Sequence, residues 1–326
     1  MVRTRSIDCA SMYEVTTRPL GHSGLQASIV GLGCNNFGGR LDVDATRAVI
    51  DACIDHGVTF LDTADRYGAT RSEQFLGEVL RGRRDAVVLA TKFGLDLGDG
   101  YAGPRGAPEY IRRAVDASLA RLQTDVIDLY WYHRPDGVTP IGDTLEALHE
   151  LVVAGKVRAI GGSNFRTAMI EEADAYARAH GITRITAIQN EYSLLVRAPE
   201  TDGVLDTCAR LELGFVPYFP LASGLLTGKY TRDGARPAGA RLSDREQLAT
   251  AAEWDLVEAL GQYANDRGVS LGTVAIGALL IDPVVSSVIV GATRPDQVAA
   301  NASAVAWTPT DADVAELRTV LGRRQD

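Results

Sequence analysis

Residues 58–68 read Val-Thr-Phe-Leu-Asp-Thr-Ala-Asp-Arg-Tyr-Gly, or VTFLDTADRYG. The first four residues have the β-branched, aromatic and aliphatic character of a buried strand, whereas the rest include two carboxylates, an arginine and a tyrosine. A buried strand that runs directly into polar residues is typical of a strand that ends at the rim of a barrel. The stretch therefore predicts a barrel strand with a site at its carboxyl end.

The same order of short strand, loop and amphipathic helix recurs along the chain. In IGDTLEALHELVVAGK, which starts at Ile141, apolar residues repeat at helical spacing and Gly155 ends the helix. Eight βα units without a break in composition favour a (β/α)₈ TIM barrel of the α/β class over a doubly wound sheet. The eight strands are predicted over residues 28–31, 58–61, 86–90, 125–132, 157–160, 185–189, 214–217 and 284–290.

Three further segments complete the predicted domain organisation. TTRPLGHSGLQAS, residues 16–28, has the glycine spacing of a β-hairpin and is expected to plug the amino-terminal mouth of the barrel. A loop of about 30 residues over 218–247 follows the seventh strand, and loops of this length are usually functional. A last helix is expected over 311–322. Residues 1–15 are interpreted as a flexible tail, so that 16–326 form one barrel domain.

The composition excludes several classes of function. Of the 326 residues 46% are hydrophobic and 23% charged, as in an ordinary globular protein. A net charge of -9 argues against a nucleic-acid or anionic-membrane surface. Four scattered cysteines indicate neither a disulfide framework nor a zinc site, and five histidines without metal-ligand spacing indicate no metal. With no signal peptide or membrane span in the sequence, we expect a cytoplasmic protein, whose oligomeric state the sequence leaves open.

Four residues at successive predicted strand ends suggest a chemical site. Asp62 and Tyr67 follow the second strand, Lys92 ends the third and His133 follows the fourth. Each alone has an ordinary structural explanation, such as a helix cap or a packing residue. Together they suit protonation of a carbonyl oxygen during hydride attack, because a nearby ammonium stabilises a phenolate and an imidazole N–H can bind the carbonyl.

Seven motifs then resemble those of a known family, in order and spacing. They are FLDTADRYG, ATKFG, DLYWYHRPD, GGSNF, IQNEYSLL, FPLASGLLTGKY and VGATRPDQVAAN. The chain resembles the aldo-keto reductases from about Arg18 to the last helix, and within them the branch that includes potassium-channel β subunits.

The resemblance implies that Asp62, Tyr67, Lys92 and His133 form the catalytic tetrad. Tyr67 would be the general acid in reduction and the base in oxidation, tuned by Lys92 and Asp62, while His133 orients the carbonyl. Asp65 and Arg66, which lie between two of these residues, are interpreted as loop residues without a catalytic part.

The resemblance also implies an extended nicotinamide dinucleotide across the barrel mouth, without a Rossmann unit. The glycine-rich stretch GLGCNNFGG does not compete with this, because Asn36 stands at the third glycine of the fingerprint. The residues implied for the nicotinamide are Ser163, Asn164, Gln189 and Tyr218. Those implied for the pyrophosphate are Pro220, Leu221, Ser223 and Lys229, with Arg241 as a neighbour. Those implied for the adenosine end are Gly291, Thr293, Arg294, Gln297 and Asn301.

We expect NADPH/NADP+ rather than NADH as the cofactor. Thr293 and Arg294 stand just before a predicted helix N-terminus, where a 2'-phosphate would be bound. A solvated surface charge is the alternative for Arg294 and for Arg241. Ala300 departs from the pattern, since several relatives carry glutamate at this position.

Two functions are compared for this sequence. The first is NADPH-dependent reduction of a small-molecule aldehyde or ketone, and the alternative is a nucleotide-bound regulatory protein, because potassium-channel β subunits share many of these motifs. Five residues are predicted as walls of a mainly apolar substrate pocket, with core or rim packing as the alternative for each. They are Asn36, Phe37, Phe93, Trp131 and Phe165.

Overall fold

A computed structural model describes residues 15–234 and 249–322 of the chain. Two short strands near the start, β1 (Thr17–Pro19) and β2 (Gln26–Ser28), pair antiparallel. Eight further strands form a single parallel sheet in the order β10-β3-β4-β5-β6-β7-β8-β9. They are β3 (Val30–Gly33), β4 (Phe60–Asp62), β5 (Val88–Phe93), β6 (Ile127–Tyr132), β7 (Val157–Ser163), β8 (Ala187–Gln189), β9 (Gly214–Phe215) and β10 (Val288–Gly291).

Hydrogen bonds between β9 and the segment that leads into β10 close this sheet. The Phe215 N–H donates to the carbonyl of Val284 at 2.8 Å, and the Ser286 N–H donates to the carbonyl of Phe215 at 2.9 Å. Each of the eight strands overlaps a segment predicted from the sequence. The predicted (β/α)₈ barrel is therefore confirmed.

Helices connect consecutive barrel strands and cover the outside of the sheet. In α4, Leu145, Leu148 and Leu151 lie on the buried face, as the helical spacing predicted. None of the described helices combines the length and apolarity needed to cross a membrane. The helices are α1 (Val43–Asp55), α2 (Arg71–Val79), α3 (Pro108–Leu122), α4 (Ile141–Val153), α5 (Thr167–His180), α6 (Ala198–Thr201), α7 (Val204–Arg210), α8 (Ala251–Asp266), α9 (Leu271–Leu279), α10 (Pro295–Ser303) and α11 (Asp311–Gly322).

The hairpin β1–β2 closes the amino-terminal end of the barrel, as predicted. Leu20 and Ala27 are fully buried and belong to the same apolar cluster as the side chains inside the barrel. Gly21 has a φ of +53°, and a Cβ there would meet the carbonyl oxygen of Thr186 at 2.1 Å. Only glycine fits this turn, and because the hairpin fills one mouth, ligands have to enter at the other.

The predicted tail falls almost wholly outside the described residues. Val15, its last residue, is described and is buried, and Gly57 lies next to it. The division into a tail and one domain over 16–326 stays a prediction.

Candidate functional site

A cavity of about 890 Å³ opens at the carboxyl ends of the barrel strands. Each of the eight strands contributes to its lining through its last residues or through the loop that follows it, because the carboxyl ends of parallel strands meet at one rim. One lining residue for each strand lies at its end or within the next three residues: Gly33, Asp62, Leu95, His133, Ser163, Gln189, Tyr218 and Gly291.

Lys92 lies beneath this cavity and joins two of the predicted tetrad residues. Its side chain is fully buried, and its ammonium donates to Asp62 Oδ2 at 2.5 Å and to the Thr63 carbonyl at 2.8 Å. The same ammonium donates to the hydroxyl oxygen of Tyr67 at 3.4 Å. Alternation along β5 explains its direction, because Ala90, two residues earlier, also faces the barrel interior.

Burial and the neighbouring opposite charge shift the pKa values of Lys92 and Tyr67 in opposite directions. Burial alone would lower the pKa of Lys92, but Asp62 and Tyr67 raise it above its ordinary value, so the amine stays charged. Burial raises the pKa of Tyr67, while Lys92 opposes this effect and Asp62 adds to it. The effect of burial on the pKa of Tyr67 is larger than the opposing effect of the Lys92 ammonium, so the pKa is raised, not lowered as a nearby ammonium alone would predict. The phenol is therefore protonated at neutral pH, and because Lys92 donates to its oxygen, its own proton is available for another acceptor.

His133 supplies a neutral imidazole next to Tyr67. The two rings lie edge to face with centroids 6.0 Å apart. Burial, followed by the positive charges of Lys92, Arg134 and Arg66, lowers the pKa of His133 to about 3. The Nδ1 atom is buried without a hydrogen-bond partner among the described residues. An uncharged ring can donate one N–H to a ligand oxygen without adding a second cation beside Lys92.

Hydrogen bonds link the tetrad to residues predicted to bind nicotinamide. Gln189 Nε2 donates to Asp62 Oδ1 at 3.2 Å. Asn164 Nδ2 donates to the carbonyl of His133 at 2.8 Å, and the Tyr218 hydroxyl donates to Asn164 Oδ1 at 2.7 Å. Asn164 has a φ of 60°, a left-handed conformation that asparagine tolerates better than most residues. These contacts hold the half-buried Tyr218 ring at the cavity wall.

All predicted cofactor residues that the structure describes line this one cavity. Arg241 lies outside the described residues. Arg294 is exposed and forms an ion pair with Asp296 at 2.8 Å. That these residues bind a cofactor stays a prediction, but their convergence does not depend on it. They are Ser163, Asn164, Gln189, Tyr218, Pro220, Leu221, Ser223, Lys229, Gly291, Thr293, Arg294, Gln297 and Asn301.

Four of the five residues predicted as substrate-pocket walls lie elsewhere. Asn36 lines the cavity, but Phe37, Phe93, Trp131 and Phe165 are at most 2% exposed and are absent from the lining. Phe93 points away from the barrel interior because it follows Lys92 on the strand, and Trp131 packs inside the barrel where Gly161 leaves room for its ring. The structure places these four aromatic residues in the packed interior and not at the cavity wall, and their part in a substrate pocket stays a prediction.

Several polar residues of the lining were not predicted from the sequence, among them Arg66, Arg134, Ser270 and Thr273. Arg66 precedes Tyr67 and Arg134 follows His133 in the sequence. This adjacency to two predicted site residues could have indicated that both arginines reach the cavity. Ser270 and Thr273 start α9, where the Ser270 hydroxyl accepts from the Thr273 N–H at 3.0 Å. In the sequence, a serine N-cap before an apolar helix indicated where α9 begins, and so where Ser270 and Thr273 lie.

Asp65 was interpreted from the sequence as an ordinary loop residue, but its environment in the structure is a different one. It is fully buried, and neither carboxylate oxygen has a hydrogen-bond partner among the described residues. Its backbone N–H donates to the Lys92 carbonyl at 3.1 Å. Burial and then the Glu73 carboxylate raise the pKa of Asp65 to about 8, although Arg121 opposes them. Asp65 is therefore a neutral acid at neutral pH, directly behind the tetrad.

This burial predicts a pH-dependent stability. The unfolded carboxyl ionises near pH 3.8 and the folded one near pH 8, so the unfolded chain binds fewer protons between these values. Stability is then lost as pH rises from about 4 to about 8. Asp65→Asn removes the ionisation, and its free energy of unfolding should gain about 2 kcal/mol relative to wild type between pH 6 and pH 8.

Urea unfolding of both proteins at several pH values measures this difference. Asp206→Asn is the matched control, because Asp206 lies exposed on α7. A constant difference between Asp65→Asn and wild type at all pH values would show that Asp65 does not titrate in this way.

No group of three or more histidine, cysteine or acidic residues is placed to hold a metal ion within 15–234 and 249–322. The described cysteines, Cys34, Cys53 and Cys208, are buried free thiols. The polar groups that converge in the cavity are tyrosine, histidine, lysine, arginine and aspartate side chains, hydroxyls and side-chain amides.

Fold and site together define a barrel protein with a polar binding cavity at the carboxyl ends of its strands. The sequence profile of the Aldo/keto reductase family matches residues 29–321. The chain belongs to the aldo/keto reductase family, which confirms the resemblance that the motifs predicted.

Two plant relatives match most of the chain. One, from Arabidopsis thaliana, is 34% identical over 303 residues, which cover 89% of this chain and 91% of the relative. The other, from Oryza sativa subsp. japonica, is 35% identical with the same coverage. Both are described as a probable voltage-gated potassium channel subunit beta.

Proposed function

We propose that this protein is an NADPH-dependent reductase that converts an aldehyde or ketone to an alcohol, with Tyr67 as the general acid. One observation carries the proposal. The Tyr67 oxygen accepts from the buried ammonium of Lys92, and the neutral ring of His133 lies beside it at the wall of a large cavity. This arrangement fits proton delivery to a carbonyl oxygen better than it fits a metal-assisted or nucleophilic reaction.

The described residues divide the work of the reaction. The bound nicotinamide would supply the hydride. Tyr67 gives its proton to the carbonyl oxygen, and the ammonium of Lys92 stabilises the negative charge that develops on the phenolic oxygen. His133 donates an N–H to the same carbonyl oxygen and orients it. Asp62 holds Lys92 in place through their ion pair.

The donor set of the cavity fits a nicotinamide dinucleotide. The side-chain amides of Asn164 and Gln189 match the donor and acceptor of a carboxamide, and the half-buried ring of Tyr218 offers a flat apolar face. Lys229 belongs to the same lining and follows the short 3₁₀ helix Ala222–Thr227 in the chain. A volume of about 890 Å³ is adequate for a cofactor.

The reaction is tested by following NADPH absorbance with a panel of aldehydes and ketones. Carbonyl-dependent oxidation of NADPH supports the proposal. Tight binding of NADPH without turnover of any member of the panel would contradict it.

Arg294 is proposed to bind the 2'-phosphate that distinguishes NADPH from NADH. We expect Arg294→Gln to raise the KM for NADPH about fivefold to tenfold and to leave the KM for NADH nearly unchanged, because a charge-assisted hydrogen bond is lost. The effect is kept modest by Asp296, which already pairs with this guanidinium. Arg318→Gln, on an exposed position of α11, is the control. Equal changes for both cofactors would remove Arg294 from phosphate recognition.

A second function is favoured by the descriptions of the two plant relatives. The chain would then be a nucleotide-bound subunit of a potassium channel, with little turnover. Purification of the protein in a complex with a channel polypeptide, together with an inactive carbonyl panel, would support this function over the first.

A further inference from the structure

Cationic side chains outnumber acidic ones in the described lining of the cavity. Among the described residues, the cationic side chains in the lining are Arg40, Arg66, Arg134, Lys229 and Arg294. The acidic side chain in that set is Asp62, whose carboxylate is already paired with Lys92. The chain as a whole has a net charge of -9, so the cavity is a positive region in an acidic protein. Such a region favours anionic ligands.

Two of these cations lie at the end of the cavity where the tetrad is found. Arg66 precedes Tyr67 in the chain, and Arg134 follows His133. Both are close enough to His133 for their charges to lower its pKa. Lys229 and Arg294 belong instead to the 218–234 loop and to the start of α10, which carry the proposed phosphate contacts. The phosphates of the cofactor thus have their own cations.

Arg66 and Arg134 also lack protein partners. Neither guanidinium takes part in a hydrogen bond or an ion pair within the described ranges. Several other exposed arginines are paired, as Arg112 is with Glu150 and Arg210 with Glu171. Arg166 and Arg318 are exposed and, among the residues that the structure describes, unpaired as well, but neither lines the cavity. Two exposed cations beside a reactive tyrosine therefore keep their donors available for a ligand. Planar guanidinium groups bind carboxylates with paired hydrogen bonds.

We propose that the substrate is an oxo acid, an aldehyde or ketone that carries a carboxylate, and that Arg66 and Arg134 bind this carboxylate while the carbonyl lies against Tyr67 and His133. The inference rests on the proposed reduction and adds the class of its substrate. Arg66 and Arg134 act on binding and take no part in proton transfer.

A matched pair of substrates tests the charge preference. The acid is 4-carboxybenzaldehyde, and its neutral partner is methyl 4-formylbenzoate, which keeps the ring and the aldehyde. We expect kcat/KM for the acid to exceed that for the ester by about tenfold or more at low salt, and the ratio to fall with added sodium chloride. A ratio of one or below would overturn the proposal.

Arginine variants locate the effect. Arg66→Gln and Arg134→Gln should each lower the acid-to-ester ratio severalfold, mainly through KM for the acid, and the double variant should bring it close to one. Arg318→Gln, on the exposed face of α11, should leave the ratio at the wild-type value. If the ratio is unchanged in the double variant, the two arginines do not bind the carboxylate and the proposal is wrong.

Direct binding separates this inference from the proposed reaction. Titration calorimetry of the protein with benzoate and with benzamide, in the presence of NADP+, measures carboxylate recognition without turnover. Benzoate binding that weakens in Arg134→Gln, with neither aldehyde reduced, would refute the reaction and support the carboxylate site. Equal reduction of both aldehydes without benzoate binding would support the reaction and overturn the carboxylate site.

Discussion

Tyr67→Phe is expected to lower kcat for carbonyl reduction by about 10²- to 10⁴-fold, the range attributed to a positioned general acid. Phenylalanine keeps the ring that packs beside His133 but removes the proton donor. The Lys92 ammonium then has no phenolic oxygen at 3.4 Å and retains Asp62 and the Thr63 carbonyl as acceptors. Steady-state rates with NADPH and a reactive aldehyde measure the loss.

The Tyr67→Phe comparison needs two controls. The dissociation constant for NADPH, measured by fluorescence, should stay within about twofold of wild type, because no contact of the hydroxyl with the cofactor is invoked. Tyr176→Phe is the matched substitution on the surface, where the hydroxyl donates to Glu146 at 2.7 Å. Turnover of Tyr67→Phe at the wild-type rate would refute the proposed mechanism.

Lys92→Met is expected to cost about 3–5 kcal/mol of folding stability in addition to activity, because it leaves a buried carboxylate without its cation. Asp62 is 2% exposed, and its remaining side-chain donor among the described residues is Gln189 Nε2 at 3.2 Å. Urea and thermal unfolding measure the loss of stability. If Lys92→Met is as stable as wild type, the ion pair between Lys92 and Asp62 contributes little to folding stability.

The double variant Asp62→Asn/Lys92→Met separates stability from chemistry. It removes both charges, so most of the lost stability should return, whereas reduction should stay at the level of the single variant. Recovery of activity together with stability would mean that the pair only supports the fold.

The barrel and the meeting of the tetrad could be predicted from the sequence. Asp62, Lys92 and His133 stand at the ends of consecutive parallel strands, and topology alone brings such ends to one rim. The resemblance to aldo-keto reductases then named the cavity residues from Ser163 to Asn301, and those that are described do line one cavity. Local spacing and motif order were sufficient for both.

The exposure of individual side chains was harder to predict. Phe93, Trp131 and Phe165 are aromatic residues beside site residues, yet the structure buries them completely or nearly so. Strand alternation explains Phe93, but Trp131 depends on the space left by Gly161 of the neighbouring strand. Neighbours from other strands are not visible in a local pattern.

By itself the sequence determined the family and the eightfold order of strands and helices, and it predicted the four tetrad residues, because these depend on local periodicity and on spacing along the chain. The tertiary structure decided which residues of VTFLDTADRYG are buried. It buries Asp65 as a neutral acid near Glu73 and Arg121, and it leaves Arg66 open to the cavity. The reason is that burial and pKa depend on how the chain packs around the turn. Glu73 comes from α2, which directly follows the turn, but Arg121 comes from α3, more than 50 residues further along the chain.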